Sequence, residues 1–105
     1  MHYEPTKETK QLFSAILSLN TKAECTKFFR DLLTEAEIKE FGNRWKVANM
    51  LNKKIDYKKI EKETGMSSTT IARISQWLKG GMGGYRLMIK RLSQQSHQPR
   101  FKPAG

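Results

Sequence analysis

The residues best suited to chemistry lie in one basic stretch, DYKKIEKETGMSSTTIARISQWLK, residues 56–79. Lys58, Lys59 and Lys62 place three ammonium groups within five residues, spaced to neutralise phosphates on one side of a helix. Ser67, Ser68, Thr69, Ala72, Arg73 and Gln76 follow on what should be a second helix. Small, hydroxylated and amide side chains let a helix approach base edges closely, and an arginine can donate two parallel hydrogen bonds to guanine. Backbone N–H groups at the start of that helix, around Ser67 and Ser68, add anion affinity. The chemistry these types support is non-covalent recognition of a nucleic acid duplex.

Such a surface needs two helices crossing near a right angle over a tight turn, with a glycine where the chain leaves the right-handed region. Gly65 is placed for that role, and Ile60, Met66, Ile71 and Ile74 are spaced to pin the pair from inside. This is the spacing of a helix-turn-helix, with one departure: Glu61 stands where such motifs most often carry alanine. An ordinary helical hairpin with polar surface residues is the plain alternative.

Charge favours the first reading. The 105 residues carry a formal net charge of +10. Residues 1–40 sum to −1 and residues 41–105 to +11, so the whole excess lies with the basic stretch and beyond. A merely solvated basic surface is possible, but the asymmetry points to a localised polyanion-binding end. With 37% hydrophobic residues the chain can build one modest core, which argues for one domain and against a large layered enzyme. No carboxylate pair and no nucleophile beside a base stands out, so no enzyme is expected. The single cysteine, Cys25, excludes an internal disulfide, and His2 and His97 lie too far apart in sequence to complete a zinc site with it. No metal or cofactor is expected. The polar N-terminus has no apolar signal core, and no apolar run approaches the roughly 20 residues of a membrane helix, so a cytoplasmic protein without a membrane partner is expected.

The elements that must position these residues are all helical. Apolar residues recur at helical spacing throughout, with no strand-like alternation. A first helix after Pro5 carries Leu12, Phe13, Ile16 and Leu17 on one stripe. Thr21 with Glu24, and Thr34 with Glu37, have capping-box spacing and open a second and a third helix. The second carries Cys25, Phe28, Phe29, Leu32 and Leu33. The third should be the longest, with Ile38, Phe41, Trp45, Ala48 and Leu51 on its main stripe and Val47 and Met50 beside it. Asp56 is placed to cap a fourth helix over 57–64, and Ser67 a fifth over 68–79. Four glycines in residues 80–84 form a hinge or C-cap turn, since no strand precedes them and no P-loop lysine follows. Tyr85, Leu87, Met88, Ile89 and Leu92 mark a sixth helix, and Ser93 to Gly105 reads as a disordered basic tail, which leaves 1–92 as the folded domain. The first three helices show wider apolar faces than two short helices can cover on each other, which points to a homodimer sharing one core, or else to a monomer folded on those faces.

With these elements in place a resemblance emerges. LLTEAEIKEFGNRWKVANML, the helix-turn-helix stretch and the ending KGGMGGYRLMIKRL together resemble the Trp repressor superfamily, most of all its YerC/YecD branch, over residues 10–92. The resemblance implies an all-α, six-helix subunit in an intertwined bacterial homodimer that presents two helix-turn-helix heads to successive major grooves. In the tryptophan-responsive members a threonine opening the third helix, an arginine ten residues along it and a recognition-helix arginine surround the corepressor. Thr34, Arg44 and Arg73 match them. Where those members continue with glycine and then serine, this chain has Ile74 and Trp77, so Thr34, Arg44, Arg73 and Trp77 mark an effector pocket that the Trp77 indole would itself fill. The plain alternatives are a helix cap for Thr34, a surface or phosphate contact for Arg44, and for Trp77 an indole that points to solvent or into the core of its own head, leaving the slot empty.

The function expected is a sequence-specific regulator of transcription, read as a repressor, that binds double-stranded DNA as a homodimer and does not respond to tryptophan. Two alternatives stand beside it. One is an amino-acid-responsive repressor with a small-molecule corepressor; the other is an adaptor whose basic end docks on an acidic protein.

Overall fold

A computed structural model describes residues 2–97. Among these residues there are six helices and no strand: α1 (Lys7–Leu17), α2 (Lys22–Leu32), α3 (Glu35–Asn52), α4 (Tyr57–Thr64), α5 (Ser68–Gly80) and α6 (Gly84–His97). The starts follow from polar caps that satisfy otherwise unpaired N–H groups. Thr6 accepts the Thr9 N–H at 3.1 Å, Asp56 the Lys59 N–H at 3.0 Å and Ser67 the Thr70 N–H at 3.2 Å. At α2 the Glu24 N–H donates to Thr21 at 3.1 Å, while the Glu24 carboxylate accepts the Asn20 N–H at 2.8 Å. One boundary differs from the sequence expectation. Helix α6 continues through His97 instead of giving way to a tail at Ser93, because the two glutamines there are good helix formers and no glycine or proline intervenes before Pro99. The rest of the expected tail lies outside the described residues.

The chain divides into two compact units, residues 1–42 and 43–105. In the first, α1, α2 and the opening of α3 bury no residue. Phe28 and Phe29 meet edge to face at 5.4 Å, while Phe13, Leu32 and Phe41 are exposed and Leu17 is 85% exposed. Arg30 closes α2 by donating to the Leu33 carbonyl at 3.0 Å.

The second unit holds the core: Val47, Ala48 and Met50 of α3, Ile60 of α4, and Ile71 and Ile74 of α5. Leu51, Ile55, Met66, Trp77, Tyr85 and Ile89 pack around it, and α5 contacts both α4 and α6. The face that α3 buries here is therefore centred on Val47, Ala48 and Met50, whereas Phe41 of its main stripe stays exposed. Helix α3 stops without a glycine. Lys54 takes the left-handed conformation (φ 64°), the Ile55 N–H reaches back to the Met50 carbonyl at 3.1 Å and the Lys54 N–H to Leu51 at 2.9 Å. This is a Schellman closure, with Ile55 folded onto the core. Of the glycines after α5, Gly83 (φ 88°) needs the left-handed region, and a Cβ at Gly81 would lie 2.6 Å from the Trp77 carbonyl oxygen. The run is a C-cap turn rather than a phosphate loop.

Ile71→Ala should lower stability by roughly 2–5 kcal/mol, because a fully buried side chain is removed from a small core. Urea unfolding followed by circular dichroism measures it; a loss below about 1 kcal/mol would show that the site collapses around the change.

Candidate nucleic-acid interface

The two helices of the basic stretch are joined as the sequence indicates. Gly65 ends α4 in the left-handed conformation (φ 74°), its N–H donating to the Glu61 carbonyl at 2.8 Å. Thr64 tightens the turn by donating its hydroxyl to the Ile60 carbonyl and accepting the Met66 N–H. Ile60, Ile71 and Ile74 are fully buried and Met66 half-buried, so the four pinning residues face inward. Glu61 is half-buried, which shows how the motif accepts a carboxylate at that position: part of it stays in water.

Burial splits α5 into two faces. Ile71, Ile74, Ser75 and Leu78 are buried, at offsets of three, four and seven residues. Thr69, Arg73 and Gln76 are exposed at offsets of four and seven, Ser67 and Ser68 are exposed at the N-terminus, and Ala72 is half-buried between the faces. On α4, Lys58, Lys59 and Lys62 are exposed and, with Asp56 and Glu63, line a shallow groove. Lys59 and Glu63 pair at 3.8 Å, one turn apart. That pair is solvated and weak, and an incoming phosphate would compete with it. The arrangement therefore offers a row of ammonium groups beside a helix whose exposed stripe is arginine, amide and hydroxyl.

The four residues of the expected effector pocket have different surroundings. Thr34 belongs to a complete capping box: it accepts the Glu37 N–H at 3.1 Å, and the Glu37 carboxylate accepts the Thr34 N–H at 2.9 Å. Arg44 is half-buried. Its guanidinium favours the ionised form of Tyr85, but burial outweighs it and raises the Tyr85 phenol above its ordinary value. Arg73 is exposed on the outward stripe of α5. Trp77 is half-buried against the core to which Ile74 belongs, so both bulky residues pack with the body of the unit. Cys25 is a free, half-buried thiol. Among the described residues no cluster of His, Cys, Asp or Glu could hold a metal ion, and no helix is long and apolar enough to cross a membrane.

Two residues of the site's support escaped the sequence reading. Arg86 Nε donates to the Leu78 carbonyl at 2.8 Å and its Nη2 to the Lys79 carbonyl at 2.9 Å, closing the C-terminal end of α5. Tyr85 stacks on Trp45 of α3, with ring centroids 6.3 Å apart and planes 25° apart. Helix periodicity registers Tyr85 as one more apolar position, and nothing in local sequence ties Arg86 to carbonyls seven and eight residues before it.

Comparison with known proteins gives a consistent answer. The family model for the Trp repressor protein matches residues 7–93. A Bacillus subtilis (strain 168) protein described as uncharacterized protein YerC is 43% identical over 88 residues, 84% of this chain and 85% of its own length. The crystal structure of a TrpR-like protein from Eubacterium eligens ATCC 27750 superposes with a TM-score of 0.81 at 40% identity, covering 84% of this chain and 91% of the other. That of a candidate Trp repressor from Staphylococcus aureus gives 0.80 at 36% identity, covering 85% and 89%.

Proposed function

The chain belongs to the Trp repressor family and has its all-α fold, and from that premise we propose that it is a sequence-specific DNA-binding regulator of transcription, acting as a repressor. The observation that carries this reading is the two-faced α5: Ile71 and Ile74 are fully buried, while Thr69, Arg73 and Gln76 stand in solvent beside Lys58, Lys59 and Lys62 of α4. In this reading Arg73, Thr69 and Gln76 meet base edges, Ala72 leaves room for close approach, and the lysines with Ser67 and Ser68 hold phosphates. The protein acts by occupying an operator, with no bond made or broken, and cytoplasmic DNA is its place of action.

The same reading makes the protein a homodimer. The exposed apolar side chains of α1 and α2 in one unit, and Leu87, Met88 and Leu92 of α6 in the other, each supply apolar surface that a second copy would cover. Each head then reads one half-site of a palindromic operator. Tryptophan has no part in it. This reading is supported by bulk and by engagement: Ile74 and Trp77 stand where the tryptophan-responsive members have glycine and serine, and the Thr34 hydroxyl is taken up in its cap. A ligand with no differential affinity for two poses shifts neither.

Four outcomes are expected. Selection of bound fragments from random duplex DNA should yield a palindromic site whose affinity falls steeply between about 50 and 200 mM salt. Arg73→Ala should then relax the preference at one base pair, costing on the order of 1–3 kcal/mol without loss of fold. A flat salt response with no selected sequence, alongside binding to acidic proteins, would favour the adaptor reading. Sedimentation at micromolar concentration should give a dimer, and a stable folded monomer contradicts it. Calorimetry with free tryptophan should show no saturable heat, and a tenfold gain in DNA affinity on adding it, about 1.4 kcal/mol, would establish the corepressor alternative.

A further inference from the structure

The last turn of an α-helix leaves carbonyl groups without intrahelical donors. At α5 two of these are met from outside: the Arg86 guanidinium donates from Nε to the Leu78 carbonyl at 2.8 Å and from Nη2 to the Lys79 carbonyl at 2.9 Å. A planar fork holding two carbonyls fixes direction as well as distance, and a cation at a helix C-terminus also complements the helix dipole. The residue before it, Tyr85, stacks on Trp45 of α3. Consecutive helical residues point roughly 100° apart, so one turn at the start of α6 grips α5 on one side and α3 on another. The covalent link alone would hold α5 less firmly, since Gly81 and Gly83 sit in the turn between.

We infer that Arg86 is a positioning residue for DNA recognition: by clamping the Leu78 and Lys79 carbonyls it holds the C-terminal end of α5 against α6, so that Thr69, Arg73 and Gln76 are presented in one orientation. This rests on the DNA-binding reading above. The clamp acts through the recognition helix and needs no contact with DNA. Its effect falls on base readout, which depends on the angle of α5 in the groove, and spares phosphate attraction, which depends mainly on charge.

The experiment compares wild type with Arg86→Gln, Arg86→Lys and the charge control Arg91→Gln, an exposed residue further along α6. Affinities for the selected site and for random duplex DNA are measured across a salt series, and hydrogen exchange of the 77–81 amides is followed on each variant. Both Arg86 variants should lose about tenfold in affinity for the selected site while random-DNA affinity stays within about twofold. Arg86→Lys is expected to fail with Arg86→Gln because an ammonium cannot reproduce the two-carbonyl fork. Exchange at 77–81 should rise in both variants and stay unchanged in Arg91→Gln. Should Arg86→Gln not fold, Arg86→Lys carries the comparison, with its charge and stem kept. Equal losses on both DNAs with a shallower salt slope would make Arg86 a phosphate contact and overturn the inference; so would unchanged site affinity and exchange. Wild-type protein that prefers no DNA sequence would instead overturn the DNA-binding reading, and the positioning role with it.

Discussion

Ile60 of α4 and Ile71 and Ile74 of α5 lie fully out of solvent with Val47 and Ala48 of α3, and the direction of every exposed side chain on α5 follows from that burial. Burying a side chain of this size contributes about 1.5–3 kcal/mol, comparable to a sizeable part of the whole stability of a domain this small. A rotation of α5 about its axis that exposed either isoleucine would therefore be heavily penalised. With a 3.6-residue period, fixing 71 and 74 inward leaves 69, 73 and 76 nowhere to point but outward. The side chains assigned to base readout are held there by residues that touch no DNA.

Electrostatics works on this frame without creating it. The excess of +11 over residues 41–105 is self-repelling. Lys59 has a solvated partner in Glu63, and Arg86 spends two donors on backbone carbonyls. Lys58 and Lys62 stay exposed on α4. A surface of this kind is tolerated because its charges stay in water, where repulsion is screened within about 8–10 Å at ordinary salt. A polyanion would relieve that repulsion and would draw on the charges the fold leaves unspent.

Much of this was legible in the sequence because it is encoded in local chemistry. Thr21 with Glu24 and Thr34 with Glu37 announce their helices, Asp56 and Ser67 cap the next two, and Gly65 marks the turn. What stayed hidden depends on contacts distant in sequence or on conformations without a dedicated residue. The end of α3 is closed by Lys54, a residue with no preference for the left-handed region, because Ile55 gains a place on the core that offsets the strain. The buried face of α3 was hard to centre, since a helix apolar on two sides gives periodicity no single direction: Val47 and Met50 are buried while Phe41 stays exposed. Arg86 could be read as a cap only once α6 had turned back on α5.

Helix α6 joins the two properties proposed for this protein. Its first turn holds α5 through Arg86 and α3 through Tyr85, and further along it leaves Leu87, Met88 and Leu92 in solvent. A second copy covering that apolar stripe would rest on the helix whose first turn grips the end of α5. In the proposed dimer, association and DNA reading would then draw on one element. Such a dimer would be tuned by its own concentration, through the fraction that is dimeric. Ile74 and Trp77 are spent on the core beneath α5, Ile74 fully buried and Trp77 in part, so both hold that helix from the inside.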